Sequence, residues 1–432
     1  MRNIVKSISR IRCISLVIIL TVIGCSKQSG TTSLTDSAGN TIKSNAANNE
    51  PRNVIFTAAA ADPFRVPTIR RLDPPWPTGC SAVWGSMGRD RDGIIYIGAS
   101  CESSKTASAH LLAYNPAADA WTDRGGAVEQ LKRLKIDKPG ETQNKIHSKI
   151  WHAPNGDLYF ASMDETGELD DGTVLPIYGS HLWRLKPGGS DWVHLKAVPE
   201  GIVASTLGGS SVYFLGYFGH VLYRVDTDTG TITQTLVGAT GGHVSRNLFA
   251  DRRGHVFVPR VRSGQASLVE LDPNLDVVNT TELTDYDVSP NADSHGITAV
   301  TPLKDGSMCF LTDGGRLYRV SDGTVTDLGR IHPAGLAYVS CLISPDGERW
   351  LNAIGHRPTK GEPVYEWIVH DLKEKKTTVT PITIPVSVPD AKSVLVYGSM
   401  TRDDAGRWYV GGAYRSGPRS GDFTAAIWQI SW

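Results

Sequence analysis

Residues 149–162 read KIWHAPNGDLYFAS, which is an apolar run, a turn made of Pro, Asn, Gly and Asp, and a second run rich in aromatic and small residues. Turn residues between two short apolar runs predict a β-hairpin. The same unit recurs along the chain at a spacing of roughly fifty residues, which is typical of a repeat fold with several strands per unit. The seven copies lie at 81–100, 149–162, 203–216, 247–260, 297–312, 342–353 and 396–412.

A third strand follows most of these hairpins, as in HLLAYN (110–115), and a fourth strand often follows the third. Seven units of four strands predict an all-β fold, a seven-bladed β-propeller of four-stranded blades. The last unit stops at its third strand, because the chain ends at Trp432. We therefore expect residues 66–72 (VPTIRRL) to supply the missing outer strand and to close the ring, which would remove exposed sheet edges.

The N-terminus has the pattern of an export signal. Residues 1–12 contain four basic residues and no acidic one, an apolar run covers 14–23, and the sequence Val-Ile-Gly-Cys ends at Cys25. This pattern predicts a secretory signal, and the cysteine resembles the lipobox of bacterial lipoproteins, in which that thiol carries the lipid. A signal anchor or a plain signal peptide is the alternative, but the apolar run is short for a membrane span.

The signal divides the chain into a lipoprotein signal peptide over 1–25 with a lipidated Cys25, a disordered tether over 26–52, and a propeller domain over 53–432. The tether is polar and nearly free of large apolar groups, so it cannot bury enough surface to fold. We expect the protein to be lipid-anchored to a bacterial membrane, the outer membrane in the first place, where it faces the periplasm or the exterior. Lys and Arg number 44, as do Asp and Glu, which argues against nucleic acid as a partner. A monomer is expected.

The cysteines of the propeller domain fall into two pairs. Cys80 and Cys101 lie symmetrically about the turn of the first hairpin, so a disulfide between them is expected in an oxidising compartment. Cys309 and Cys341 fall in strands of adjacent blades and are expected to be buried thiols. The sequence has no CxxC motif, no zinc-finger spacing and no phosphate-binding loop.

Propeller topology predicts which face binds a ligand. We label the strands of each blade a to d, from the innermost to the outermost. Strand a starts at the face where strand b ends, and this face, here called the loop face, carries the b–c and d–a connections. The opposite face, the turn face, carries the a–b and c–d turns. The long connections 125–146, 163–180, 355–364 and 414–423 all fall on the loop face, which is typical of a binding face.

The loop face is also predicted to collect His, Arg and Tyr side chains. Any one of these histidines can equally be a structural residue, so the prediction depends on the cluster. The candidates lie near the starts of strands a and c and the ends of strands b: His147, Tyr217, His220, His243, Arg246, Arg260, Arg262, His295, Tyr338, His356, Arg357, Tyr397, Tyr414 and Arg415. Five acidic residues of the 163–180 connection are expected to form a solvated or calcium-binding loop.

The chain resembles the propeller polysaccharide lyases, which include the oligogalacturonate, ulvan and rhamnose–glucuronate lyases. The resemblance rests on the repeat over 80–432, on NKIHSKIWHAPNGDLYFAS (144–162), on GGHVSRNLFADRRGHVFVPR (241–260) and on the Tyr217/His220 loop. It implies cleavage of a uronate-containing polysaccharide or oligosaccharide by β-elimination. In this scheme an Arg neutralises the uronate carboxylate, while His and Tyr act as base and acid.

The resemblance assigns roles to some of the candidates. Arg246 or Arg260 would neutralise the carboxylate, His147 or His243 would be the base, and Tyr217 or His220 would be the acid. The substrate-binding candidates are His295, Tyr338, His356, Arg262 and Arg415. A divalent metal could instead lie between His147, His243 and His295, and imidazole ligands suit Zn, Mn or Ni, with Ca also open.

Two other classes of function remain open. The first is a non-catalytic surface propeller that binds a glycan or a protein, since the fold alone does not imply an enzyme. The second is a propeller glycoside hydrolase, which would need two carboxylates across the mouth of the ring.

Overall fold

The computed structural model of the chain describes residues 62–102, 108–169, 173–217, 220–238, 245–286, 288, 296–334, 338–357, 364–387, 394–417 and 422–432. The predicted signal peptide with its lipidated Cys25 lies outside the described residues, as does the predicted tether. Within the described ranges, no helix has the length and apolar character that a membrane crossing requires.

The described strands form seven antiparallel sheets of four strands each, so the predicted seven-bladed propeller is confirmed. In blade 2 the innermost position is shared by two short segments. Blades 1 to 3 contain β2 Met87–Arg89, β3 Ile95–Ala99, β4 His110–Asn115, β5 Ala120–Gly126, β6 Lys145–Ile146, β7 Trp151–His152, β8 Leu158–Asp164, β9 Gly179–Leu185, β10 Val193–Val198, β11 Ile202–Gly208, β12 Ser211–Gly216, β13 Val221–Asp226 and β14 Ile232–Leu236.

The remaining blades follow the same order. Their strands are β15 Phe249–Ala250, β16 Val256–Arg262, β17 Gln265–Leu271, β18 Val277–Glu282, β19 Ile297–Pro302, β20 Met308–Thr312, β21 Arg316–Ser321, β22 Thr324–Arg330, β23 Tyr338–Ile343, β24 Trp350–Arg357, β25 Val364–Asp371, β26 Lys376–Pro381, β27 Val394–Arg402, β28 Trp408–Arg415, β29 Phe423–Ser431 and, at the start of the chain, β1 Thr68–Leu72.

The a–b turns have a common local cause. In blade 1, Asp90 Oδ1 accepts hydrogen bonds from the backbone N–H groups of Asp92 and Ile94, each at 3.0 Å. Asp251 and Asp403 hold the equivalent turns of blades 4 and 7 in the same way. An aspartate that bonds the backbone two to four residues ahead fixes a tight turn, so the local sequence determines where each blade begins.

The ring is closed by the N-terminal strand, as the sequence predicts. β1 pairs with β29 in antiparallel register from Thr68 opposite Ser431 to Leu72 opposite Ile427. Arg70 Nε also donates a hydrogen bond to Gln429 Oε1 at 3.0 Å. The outer strand of the last blade is therefore the first described strand of the chain.

The connection between blades 1 and 2 contains a helix that the sequence analysis does not predict. The helix α1 spans Ala127–Leu134, and the side chain of Glu129 accepts a hydrogen bond from the backbone N–H of Gly126 at 3.2 Å. Ala127 and Leu131 are fully buried in a cluster that also contains Trp192 of blade 2. The helix thus fills the space between two neighbouring blades.

The innermost strand of blade 2 is interrupted. β6 and β7 both pair with β8, and residues 147–150 between them leave the ladder. Ser148 Oγ takes over one of the freed backbone donors, because it accepts a hydrogen bond from the backbone N–H of Ala161 at 2.8 Å. The side chains of residues 147–150 therefore do not have to point alternately to the two faces of the sheet, as those of a regular strand do.

The cysteines have the states that the sequence predicts. The Sγ atoms of Cys80 and Cys101 are joined in a disulfide, 21 residues apart in sequence. Cys309 and Cys341 are free and buried, on β20 of blade 5 and β23 of blade 6. Burial raises the pKa of both thiols to about 12, so neither is a thiolate at neutral pH.

Candidate functional site

The candidate site lies on the loop face and is built around His147 and Arg246. His147 is 5% exposed and lies in the interruption of the blade 2 inner strand. Arg246 Nη1 lies 2.5 Å from His147 Nε2. A guanidinium can only donate, so the imidazole nitrogen is the acceptor in this contact. The sequence analysis placed Arg246 at the start of an inner strand, which is wrong, since β15 starts at Phe249 and Arg246 belongs to the preceding connection.

Aromatic side chains form one wall of this site. The ring centroid of Trp84 is 5.0 Å from that of Tyr397 and 6.3 Å from those of His147 and Phe423. The Arg246 guanidinium lies 5.9 Å from the Tyr397 ring centroid, within the range of a cation–π contact. Trp84 belongs to the predicted first hairpin unit, 81–100, but it was not among the predicted site residues; it lies in the connection that precedes β2.

A second guanidinium lies on the same wall. Arg415 Cζ is 5.6 Å from the ring centroid of Phe423, which also contacts Trp84. Within the described part of the chain, the Nε atoms of Arg246, Arg260 and Arg415 are buried and have no hydrogen-bond partner. A buried donor without a partner costs about 1–3 kcal/mol, so these arginines have hydrogen-bonding capacity left for an anionic ligand.

A lysine and two glutamates line the other side of Trp84. Lys145 Nζ is 3.3 Å from Glu102 Oε2 and also contacts Glu165 Oε2. Trp84 Nε1 donates a hydrogen bond to Glu102 Oε1. Burial alone would lower the pKa of Lys145, but the two carboxylates outweigh it and raise the pKa. Lys145 therefore remains a cation that fixes both glutamates.

Tyr217 is held by the same acidic residues. Its hydroxyl donates to Glu165 Oε1 at 3.1 Å and to Glu168 Oε1. Burial and the two carboxylates raise the pKa of Tyr217 far above its usual range. The proton of Tyr217 is thus bound between two carboxylates, and its phenol orients the long connection of blade 2.

The acidic connection of blade 2 was expected to be a solvated or calcium-binding loop; Asp170 and Asp171 lie outside the described residues, whereas Asp164, Glu165 and Glu168 are bound within the protein. Asp164 is 1% exposed, and its Oδ2 accepts hydrogen bonds from the backbone N–H groups of Thr142 and Gln143. Glu165 and Glu168 are bound as described above. Among the described residues, no group of three His, Cys, Asp or Glu side chains could hold a metal ion.

His220 lies apart from the aromatic wall, inside blade 3. It is 1% exposed and has a positive φ of 53°. A side chain added at Gly238 would lie 2.5 Å from His220 Nδ1, so the imidazole packs directly against that backbone. This arrangement is that of a packed core residue.

The other candidates are spread around the ring. Arg260 is half-buried and Arg262 exposed near the end of β16. His356 is half-buried beside Tyr365, with ring centroids 5.6 Å apart, and burial lowers its pKa. Tyr338 pairs with His356 in the β23–β24 register. His243 and His295 lie outside the described residues, so the predicted metal site with His147 stays a prediction.

Comparison with known proteins identifies a fold and no family. No protein-family model matches the chain, and no curated protein matches it. Similar solved structures include a chain of the mitotic checkpoint complex, with 9% identity, coverage of 88% of this chain and 99% of that chain, and a TM-score of 0.51. The extracellular domain of a hybrid two-component system from B. thetaiotaomicron has 12% identity and a TM-score of 0.47, over 83% of this chain and only 40% of that chain.

YCF48 from Cyanidioschyzon merolae is a third similar structure, with 14% identity, coverage of 83% of this chain and 98% of that chain, and a TM-score of 0.49. At such identities the likeness concerns the fold alone. A propeller fold supports many unrelated functions, so the function has to be argued from the site itself.

Proposed function

We propose that the protein is a polysaccharide lyase that binds a uronate-containing glycan on its loop face and cleaves it by β-elimination. The observation that carries the proposal is the direct contact between Arg246 Nη1 and His147 Nε2 beside the Trp84 and Tyr397 rings. β-Elimination needs a cation for the uronate carboxylate and a neutral base for the C5 proton, and this pair contains both.

The contact suggests how the substrate prepares its own base. In the unliganded protein the lone pair of His147 Nε2 accepts a hydrogen bond from Arg246. A substrate carboxylate is a stronger acceptor than an imidazole, and it can take two parallel hydrogen bonds from a guanidinium. Arg246, whose Nε is buried without a partner among the described residues, would turn toward the carboxylate. His147 Nε2 would then take the C5 proton.

The elimination also needs a proton for the departing glycosidic oxygen. Tyr397 contacts both Arg246 and Trp84, and we assign it this role in place of Tyr217 and His220. The hydroxyl of Tyr217 already donates to two carboxylates, and His220 is packed against Gly238. Trp84 offers an aromatic face against which a sugar ring can stack.

A non-catalytic glycan receptor is the second candidate, and one observation favours it. Glu102 and Glu165 are fixed beside Lys145 and Trp84, and this arrangement of charges suits recognition of sugar hydroxyls as well as it suits catalysis. A receptor would use Arg246 and Arg415 to hold carboxylates along the chain of an acidic glycan, without transfer of a proton.

The test is incubation of the protein with a panel of uronate-containing polysaccharides, monitored by the ultraviolet absorbance of the unsaturated uronate that β-elimination creates. Arg246→Ala should lower kcat about a hundredfold or more, because it removes a group that stabilises charge in the transition state. Arg246→Lys should restore part of the rate, since an ammonium cannot bind a carboxylate with two parallel hydrogen bonds.

Arg252→Ala is the matched control, because Arg252 is 59% exposed in an a–b turn on the opposite face. It should cleave at the rate of the unmodified protein. Glycans without uronate should not be cleaved. Tight binding of uronate polymers without any unsaturated product, with or without added divalent metal, would refute the lyase and leave the receptor.

A further inference from the structure

A cavity lies at the end of the ring opposite the candidate site, where the inner strands end at the turn face. Its volume is about 120 Å³. The ends of β2, β19 and β27, the segment 149–151 and the start of β28 contribute to its walls. The polar and charged groups of the lining are Arg89, Lys149, Thr301, Thr401 and Arg402, together with the indoles of Trp151 and Trp408.

The charged side chains that line this cavity are all positive. Three of its side chains are cationic, and none of the described lining residues is acidic. Arg89 is fixed, because Nη1 donates to the carbonyl of Arg402 at 2.8 Å and Nη2 pairs with Asp404 at 2.7 Å. Arg402 lies 5.2 Å from the Trp408 ring centroid. Burial lowers the pKa of Arg402. The charge of Asp403 opposes this effect, and the positive charge of Arg89 adds to it.

Among the three cations that line the cavity, Lys149 has no carboxylate partner among the described residues. It lies in the interruption of the blade 2 inner strand, two residues after His147, and faces the cavity. Within the described part of the chain, no hydrogen-bond or ion-pair partner reaches its Nζ. Burial lowers its pKa to about 8. The nearby thiol of Cys341 is neutral at that pH, so it does not compensate the charge of Lys149.

Lys149 is half-buried, and a cation that is partly removed from water without a partner is unfavourable unless a ligand of opposite charge joins it. The hydroxyl groups of Thr301 and Thr401 add neutral donors to the same cavity. The size restricts the ligand, because cavities of about 150 Å³ hold a molecule as small as benzene. A sugar polymer does not fit such a space, whereas a single small oxyanion does.

We propose that this cavity is a binding site for a small oxyanion, with inorganic phosphate or a small carboxylate as the ligand and Lys149 as its principal charge. The site is independent of the loop face, so it stands or fails separately from the proposed lyase activity. The indole and guanidinium groups that line the cavity with Lys149 reduce its contact with water, and an ion pair with the ligand is then stronger than one at the open surface.

The first test is titration of the full chain with inorganic phosphate and, separately, with acetate, by calorimetry at pH 7. We expect one saturable site per chain, and the preferred anion shows which of the two sources of negative charge the cavity takes. Lys149→Met should weaken binding at least tenfold. Lys186→Met is the matched control, since the Lys186 side chain is 86% exposed, and it should bind as the unmodified protein does. Equal affinity in all three proteins, or no saturable binding of either anion, overturns the proposal.

The second test needs no variant, in case Lys149→Met alters the fold. An amine-reactive reagent is applied to the unmodified protein near pH 8, and the labelled lysines are identified by mass spectrometry. Phosphate or acetate at saturation should slow the labelling of Lys149 several-fold and leave Lys186 unaffected. Equal protection of both lysines, or protection of neither, contradicts an anion in the cavity.

Discussion

Removal of the closing strand should unfold the whole domain. Deletion of residues 62–72 removes β1, which has five residue pairs with β29, and each backbone hydrogen bond contributes about 1 kcal/mol net. It also exposes the space that Leu72 fills, and Leu72 is 5% exposed in a cluster with Val83 and Ile427. Burial of a leucine contributes about 2 kcal/mol. The sum, on the order of 5–7 kcal/mol, is as large as the total stability of many domains.

Point variants give the same prediction in a graded form. Leu72→Ala should lower the free energy of unfolding by about 2–5 kcal/mol, because it leaves a cavity in the core. Val66→Ala is the control, since Val66 lies two residues before β1 and is 43% exposed, and it should change stability by less than about 0.5 kcal/mol. The measurement is urea unfolding followed by circular dichroism.

The closing strand does not stabilise the domain if the protein without residues 62–72 unfolds at the same urea concentration as the full chain. The same conclusion follows if Leu72→Ala and Val66→Ala are equally stable. A deleted protein that stays folded but aggregates through the edge of β29 would show that closure protects an edge and contributes little to stability.

Two further predictions concern stability. The double variant Cys80→Ser, Cys101→Ser should lower the free energy of unfolding by about 3 kcal/mol, the value for a disulfide that closes a loop of this length. Mass spectrometry of unreduced peptides from the unmodified protein should show the two cysteines linked, and free thiols at both positions would contradict this. The hydrogen bond from Arg330 lowers the pKa of Asp285 from 3.8 to about 2. The ionised carboxylate therefore stabilises the fold at every pH above 3.8, and this stabilisation is lost as the pH falls through 2. Asp285→Asn should therefore melt at a lower temperature than the unmodified protein at pH 7 and at the same temperature below pH 2, and a difference that persists in acid would be against the assignment.

The architecture could be predicted from the sequence because its determinants are local. Several a–b turns are fixed by an aspartate and a glycine a few residues apart, as at Asp90 and Gly93, and the strands beside them can be recognised within a short window of sequence. The closure by β1 followed from a count of strands, since the last repeat unit in the sequence contains only three strands before Trp432. Neither inference requires knowledge of contacts between blades.

The site could be predicted only in part, because it depends on contacts between distant segments. His147 and Arg246 are 99 residues apart, and sequence indicated each of them separately but not their contact. Trp84, Glu102 and Lys145 gave no signal, since each lies in or beside an irregular connection. The interruption at 147–150 was also missed, because it is defined by the pairing of β6 and β7 with β8 and not by its local sequence, His-Ser-Lys-Ile.

The pairing of Thr68 with Ser431 has a consequence for how the molecule can be held. β1 starts and β29 ends at the turn face, and the chain just before β1 stays there, where Phe64 packs on Trp350 with ring centroids 5.0 Å apart. Both ends of the ring therefore leave from one side. A tag or an immobilising surface attached next to residue 62 or at Trp432 is therefore connected to the face opposite Arg246, and the loop face stays accessible.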